Sequence, residues 1–191
     1  MEELKATGIP RAAVLRLLAV RGHLPADLQG VDLLIDQGLA QHIADSAILS
    51  APGLTEASQL LLMPREATRQ VRLLMGEFDA LDRRVRHACT TWQLRPDGSA
   101  NAHDDPGYDK GVRDEVGHIH VEAVALLVAM SGEIPELMEY VGLLDTAAYA
   151  FADGDDAMLA SPLVPSYHTV WMWWHQELRL RLGLDPSSTG P

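Results

Sequence analysis

The chain has 191 residues, of which 47% are hydrophobic, so it can bury the core of one or two small domains. Its formal net charge is −12, and the excess lies in residues 96–160, where 14 acidic residues accompany only Lys110 and Arg113. This distribution argues against general nucleic-acid coating and against a polybasic membrane tether, because both need a basic surface. The single cysteine, Cys89, excludes an intramolecular disulfide framework.

The sequence also carries no pattern for membrane insertion or export. No apolar run approaches the roughly 20 residues that span a bilayer. Residues 1–12 lack the charged and hydrophobic regions of a signal peptide. We therefore expect a cytoplasmic protein without a membrane partner.

The first third of the chain predicts a small domain of helices and a β-wing. Apolar residues at helical spacing predict helices over residues 9–21 and 26–37. Residues 39–43 and 48–50 are separated by a short turn and predict the two strands of the wing. A further helix follows, and Thr55 is its expected N-cap.

The rest of the chain has the pattern of a helical domain. One long helix is predicted over residues 64–92, because apolar residues recur at three- and four-residue spacing. Residues 95–109 are rich in Gly, Asp and Pro and predict a loop. Helices are expected over residues 110–130 and 133–152.

The last predicted helix begins after Ser166, its expected N-cap, and ends near Leu182. Pro162 and Pro165 are expected to frame a short extended segment before it.

Two imidazoles and an indole share one side of this last helix, since His168, Trp171 and His175 are three and four residues apart. Leu178 and Leu182 lie on the same side, so we expect it to point inward. Buried polar groups need hydrogen-bond partners. The expected acceptors are Asn101, Asp104 and Glu177.

Each of these features has a structural and a functional interpretation. The histidine face is either a core stripe with satisfied histidines or the wall of a ligand pocket. His103 and Asp104 either cap their loop or form a His–carboxylate pair that moves a proton. A metal site is not expected, because no HxxxH or HxxE pair with a known metal geometry supports one.

The segments TTWQLRPDGSANAHDDPGYD and SPLVPSYHTVWMWWHQELRLRLG resemble a family of small actinobacterial proteins. Its members pair a winged-helix N-terminal domain with a helical C-terminal domain and carry regulator or pyruvate-phosphate-dikinase-associated labels. The shared pattern is a D-W-Q-L-R element, an N-x-H-x-D-x-x-Y loop and an S-Y-H-x-V-W-x-x-L-H-E-x-L helix. The matching positions are Trp92, Gln93, Asn101, His103, Asp104 or Asp105, Tyr108, His120, Ser166, Tyr167, His168, Trp171 and His175. The resemblance implies this two-part architecture and a shared polar pocket.

The chain departs from the family in two places. Thr91 replaces the acidic residue before the tryptophan. Residues 23–37 are too few for a turn plus two full helices, and they contain three aspartates without Lys or Arg. A helix that reads DNA normally needs cations against phosphate, so operator binding is not expected to be strong.

The sequence thus predicts a mainly α protein with a small β-wing, a long connecting helix and a helical bundle. Residues 1–63 are expected to form a degenerate winged helix-turn-helix domain. Residues 64–185 are expected to form the helical domain with a small-molecule pocket, and residues 186–191 a tail.

The predicted function is binding of an organic metabolite in bacterial secondary metabolism, with cofactor-free acid–base catalysis of the isomerase, cyclase or lyase type. His168 or His103 would move the proton, and Asp104 would orient the imidazole. The expected substrate-binding residues are Trp92, Gln93, Asn101, Tyr108, His120, Tyr167, Trp171 and His175. The alternative is a ligand-responsive winged-helix transcriptional regulator. The expected partners are the small molecule and a second copy in a homodimer, and nucleic acid only in the alternative.

Overall fold

The computed structural model describes residues 9–184, so the predicted tail at 186–191 lies outside the described residues. The described chain is mainly helical and contains a three-stranded antiparallel sheet. It divides into two compact units, one of residues 9–64 with 175–184 and one of residues 65–174. The first stretch of this unit ends at residue 64, and the end of the last helix groups with the N-terminal residues.

The first unit contains the sheet and three short helices. In chain order its elements are α1 (Arg11–Arg21), β1 (Leu24–Pro25), α2 (Val31–Asp36), β2 (Ala40–Ile43), β3 (Ser46–Leu49) and α3 (Ala51–Leu61). The strand order is β1-β3-β2, with Leu24 opposite Ala47 and Ala40 opposite Leu49.

The second unit is a set of helices around the long α4. Its elements are α4 (Arg65–Gln93), α5 (Pro106–Ser131), a 3-10 turn (Pro135–Leu137), α6 (Met138–Ala152), α7 (Ala157–Ala160) and the beginning of α8 (Tyr167–Arg181). Within residues 9–184 no helix combines the length and the apolar character that crossing a bilayer requires.

Two sequence predictions in the first unit meet different outcomes. The hairpin is confirmed by β2 and β3, which are joined through Ala44 at a φ of +51°. The helix predicted over residues 26–37 is wrong in length, since only Val31–Asp36 is helical. Its N-terminal part is a turn because Pro25 belongs to β1 and Gly30 takes a φ of +91°, which interrupts a helix.

The N-cap predicted at Thr55 is also wrong, because α3 begins one turn earlier. Ser50 is the cap, and its Oγ accepts a hydrogen bond from the Gly53 amide at 3.2 Å. Pro52 occupies the first turn, where its missing N–H costs nothing. The Thr55 hydroxyl instead donates to the carbonyl of Ala51 at 3.1 Å.

A buried ion cluster ties the end of α8 into the first unit. Both oxygens of Glu177 accept from the guanidinium of Arg16 on α1, at 2.8 and 2.7 Å. The guanidinium of Arg181 donates to the same carboxylate at 3.0 and 2.8 Å. Glu177 is fully buried, so the two arginines supply the compensation that a buried carboxylate needs.

In the second unit the long helix is confirmed, and the flanking segments differ in detail. α5 begins at Pro106, because the Asp105 carboxylate caps it by accepting from the amides of Gly107 and Tyr108 at 3.0 and 3.1 Å. Residues 162–165 form turns where an extended segment was predicted. The Ser166 cap is confirmed, since its Oγ accepts from the Thr169 amide at 3.3 Å.

Candidate functional site

The buried face of α8 is rotated from the predicted one. Trp171 and Trp174 are fully buried, whereas His168 is only partly buried. The indole of Trp171 stacks on Phe78 of α4 at 5.3 Å between ring centroids, and Trp174 meets the same ring edge-on at 4.9 Å. This part of α8 therefore packs into an aromatic core.

The indole of Trp171 has a hydrogen-bond partner other than the predicted ones. Trp171 donates through Nε1 to Asp82 Oδ1 at 3.0 Å, so neither Asn101 nor Asp104 is its acceptor. His175 belongs to the first unit. Burial lowers the pKa of His168 below its ordinary value of 6.5, and the charge of Asp82 opposes this shift only in part.

A connected cluster of predicted site residues surrounds the loop after α4, and we call it the loop cluster: Trp92, Asn101, His103 and Asp109. Asn101 is 8% exposed and holds the cluster together. Its amide nitrogen donates to the Trp92 carbonyl at 3.1 Å and to Asp109 Oδ1 at 2.9 Å. Its oxygen accepts from the His103 backbone amide at 3.2 Å.

These bonds define the tautomer of His103. Its Nδ1 lies 3.1 Å from Asp109 Oδ2 and 3.2 Å from the amide nitrogen of Asn101. Both hydrogens of that amide are used on Trp92 and Asp109, so His103 Nδ1 carries a hydrogen and donates it to Asp109. Nε2 then carries the lone pair that accepts a proton.

The loop also fixes the position of the imidazole. His103 has a φ of +56°, a left-handed conformation that few residues other than glycine adopt, and the Asn101 oxygen holds its amide there. Its ring lies 4.4 Å from the Trp92 ring, centroid to centroid. The guanidinium of Arg113 lies 4.7 Å from that Trp92 ring. His103 is therefore presented on a rigid support, with 35% of its side chain exposed.

Asp109 is the carboxylate beside His103, where Asp104 was predicted. The Asp104 side chain is 78% exposed and pairs with Arg95 at 2.8 Å, away from His103. Burial alone would raise the pKa of Asp109, but hydrogen bonds from Asn101 and His103 outweigh it and hold the pKa below its ordinary range. One sequence signal narrows which aspartate can lie beside His103. Asp105 precedes Pro106 and is therefore expected to cap a helix, so Asp104 and Asp109 are the remaining candidates.

Gln93 and Tyr108, the other predicted residues around this loop, support the loop cluster but do not hydrogen-bond to His103. Gln93 is exposed, and its carbonyl accepts from the Asn101 amide at 2.8 Å. Tyr108 donates its hydroxyl hydrogen to the Leu94 carbonyl at 2.9 Å, and Arg95 lies 4.5 Å from its ring.

A second group, which includes two predicted site residues, lies around His120 of α5, and we call it the His120 cluster: His120, Asp145, Tyr149 and Tyr167. His120 Nε2 lies 3.0 Å from Asp145 Oδ1 of α6, and its ring centroid lies 6.0 Å from that of Tyr167. The sequence did not predict Asp145 and Tyr149 as site residues, because they lie in the mostly apolar helix α6, which carries no motif. The sequence predicted one pocket, but residues predicted to line it lie in two separate clusters. The roles of both clusters in binding stay predictions.

A groove of about 350 Å³ lies between α4 and α5 and contains none of the predicted site residues. It is lined by Glu77, Ala80, Leu81, Arg84, Glu122, Ala125, Leu126 and Ala129. Across residues 9–184 no three His, Cys, Asp or Glu side chains are grouped to hold a metal ion.

No family model, no curated protein and no solved structure matches this chain.

Proposed function

We propose that the second unit is an acid–base enzyme acting on a small organic molecule, with His103 as the general base. The observation that carries this proposal is the hydrogen bond from His103 Nδ1 to Asp109, made on a ring held by Trp92. A carboxylate that fixes the tautomer and orientation of an imidazole is the arrangement that prepares a histidine to take a proton.

The geometry supports a reaction that begins by proton removal from the substrate. Nε2 of His103 has no hydrogen-bond partner among the described residues, and the side chain is open to a bound molecule. The proton moves from substrate to Nε2, and Asp109 stabilises the imidazolium through Nδ1. Isomerisation, elimination and cyclisation can all begin with such a step, so we propose a reaction of one of these types.

The test uses 5-nitrobenzisoxazole, a planar compound whose ring opens when a base removes its carbon-bound proton. We expect the protein to accelerate this opening beyond free imidazole at equal concentration and pH. His103→Gln should return the rate to background, and Asp109→Asn should lower it by about tenfold or more, because an asparagine can hold the wrong tautomer. Exposed His118, on the same unit, provides the matched control His118→Gln.

Two results would contradict the proposal. One is a protein rate no higher than that of free imidazole. The other is a rate that falls equally in His103→Gln and His118→Gln, since this would mark general surface catalysis.

One observation favours a second candidate, a winged-helix regulator. The three-stranded sheet of order β1-β3-β2, with a hairpin after a short helix, is similar to the arrangement of winged-helix domains. Residues 22–64, however, contain five acidic residues and neither Lys nor Arg. Because this segment has no cationic side chains to contact phosphate, we expect it to bind DNA weakly, and we therefore rank the enzyme first.

A gel-shift assay on the DNA upstream of the gene separates the two candidates. We expect no specific complex. Specific binding that weakens with salt would reverse the ranking.

A further inference from the structure

Two buried polar atoms in the His120 cluster have no hydrogen-bond partner among the described residues: Tyr167 Oη and His120 Nδ1. Tyr167 is 1% exposed and His120 is 8% exposed, so water does not satisfy these atoms from the surface. Native proteins rarely leave such atoms unpaired, because burying them without a partner is costly.

The two atoms are opposite in character. Asp145 accepts from His120 at Nε2, which places the imidazole hydrogen there and leaves Nδ1 as an acceptor. Burial, with a smaller contribution from the charge of Asp145, raises the pKa of Tyr167, so its hydroxyl keeps its hydrogen and is a donor. The cluster therefore offers one donor and one acceptor on neighbouring rings.

A hydroxyl group has both functions that these atoms lack in a partner, because it can accept a hydrogen bond from Tyr167 and donate one to His120. The surroundings are aromatic and suit an aromatic ring: the ring of Tyr167 packs edge-on against that of His120 at 6.0 Å and 74°, and the ring of Tyr149 does so at 6.1 Å and 73°. We propose that the His120 cluster is a second small-molecule site, which binds a phenolic or enolic hydroxyl between Tyr167 and His120.

A ligand would reach the His120 cluster from solvent past Tyr149 and Asp145. Tyr149 is 66% exposed although its ring lies against His120, and the Asp145 side chain is 41% exposed. Exposed side chains change rotamer within nanoseconds, so rotation of Tyr149 uncovers the imidazole at little cost. Tyr149 thus covers the site, while Asp145 orients His120 from the solvent side.

This site is separate from the proposed base. Asp109 of the loop cluster and His120 are 11 positions apart on α5, which corresponds to about 16 Å along the helix. Either site can therefore fail without the other.

The experiment titrates the full-length protein with phenol and follows the imidazole nitrogens of His120 by NMR. Anisole, which keeps the ring and lacks the O–H, is the matched probe. We expect phenol to shift the His120 Nδ1 signal saturably. Anisole should bind with an affinity lower by about tenfold or more, because it leaves His120 without a hydrogen-bond donor.

Variants then assign the contacts. Tyr167→Phe should weaken phenol binding by about tenfold or more, while Tyr140→Phe, at another buried tyrosine of α6, should leave it unchanged. Circular dichroism of each variant verifies folding, and the comparison of phenol with anisole on the unmodified protein needs no variant.

Equal binding of phenol and anisole would overturn the proposal. Unshifted His120 signals, or a folded Tyr167→Phe that binds phenol as the unmodified protein does, would also overturn it. His103→Gln, whose imidazole lies outside the His120 cluster, should bind phenol normally, so the failure of the proposed base is distinguishable from the failure of this site.

Discussion

Asp82 on α4 accepts a hydrogen bond from the indole of Trp171 on α8 at 3.0 Å, although the two residues are 89 positions apart in sequence. The second oxygen of Asp82 lies 2.9 Å from Arg86, one turn along α4. This arrangement satisfies a buried indole N–H with a carboxylate whose charge is balanced. It also fixes which side of α8 enters the core.

Removing this acceptor should destabilise the protein. We expect Asp82→Ala to lower the free energy of unfolding by about 1–3 kcal/mol, because Trp171 Nε1 is left buried and unpaired. Asp79→Ala, at an exposed position of the same helix, should change it by less than about 0.5 kcal/mol. Urea denaturation followed by tryptophan fluorescence measures both, and equal losses would show that the Asp82 bond contributes nothing specific.

Glu177 should be a stability determinant of the first unit. Glu177→Gln breaks a buried ion pair with Arg16 and Arg181, and we expect a loss of about 3–5 kcal/mol. Glu56→Gln breaks the exposed pair with Arg11 in the same unit, and its effect should be much smaller. Hydrogen exchange of residues 9–64 locates the loss, and protection there that survives Glu177→Gln would refute the prediction.

Ser50 should behave as the cap of α3. Ser50→Ala should cost about 1 kcal/mol, because the Gly53 amide loses its acceptor. Thr55→Ala leaves that bond intact and should change stability by less than about 0.5 kcal/mol. Thermal denaturation of the two variants decides between the positions, and a larger loss for Thr55→Ala would restore the cap predicted from the sequence.

His168 should make stability depend on pH near neutrality. Burial lowers its folded-state pKa below 6.5, so the unfolded chain binds this proton more readily. Stability should therefore fall as the pH drops below about 6.5, until the folded form is also protonated. In His168→Gln the loss of stability between pH 7.5 and 5.5 should be smaller, as measured by urea denaturation at both values. An unchanged pH dependence would remove His168 as its source.

Cys89 should react slowly in the folded protein. Burial raises the pKa of its thiol to about 11, so little of the reactive thiolate exists at pH 8. Reaction with an aromatic disulfide reagent should accelerate strongly in denaturing urea, where burial is lost. Similar rates in the two conditions would contradict this expectation.

The loop cluster illustrates what a short pattern can and cannot predict. Trp92, Asn101 and His103 were expected to share a site, and they do lie together because a tight loop brings close positions into contact. The carboxylate was assigned to the neighbour Asp104, yet Asp109 fills the role. Which aspartate lies beside His103 depends on where α5 begins. With α5 beginning at Pro106, Asp109 contacts His103, and Asp104 forms an ion pair with Arg95 instead.

The sequence alone determined the helices with strong apolar periodicity, the hairpin and the concentration of polar groups in the second half, because these depend on local spacing and composition. The tertiary structure decided the partners. The carboxylates of Asp82, Asp145 and Glu177 are selected by helices that meet across long stretches of chain, and no local pattern records which charges will share a buried space. The same holds for the uneven distribution of charge. The sequence shows where the acidic residues are concentrated, but packing decides which of their carboxylates hydrogen-bond to a histidine.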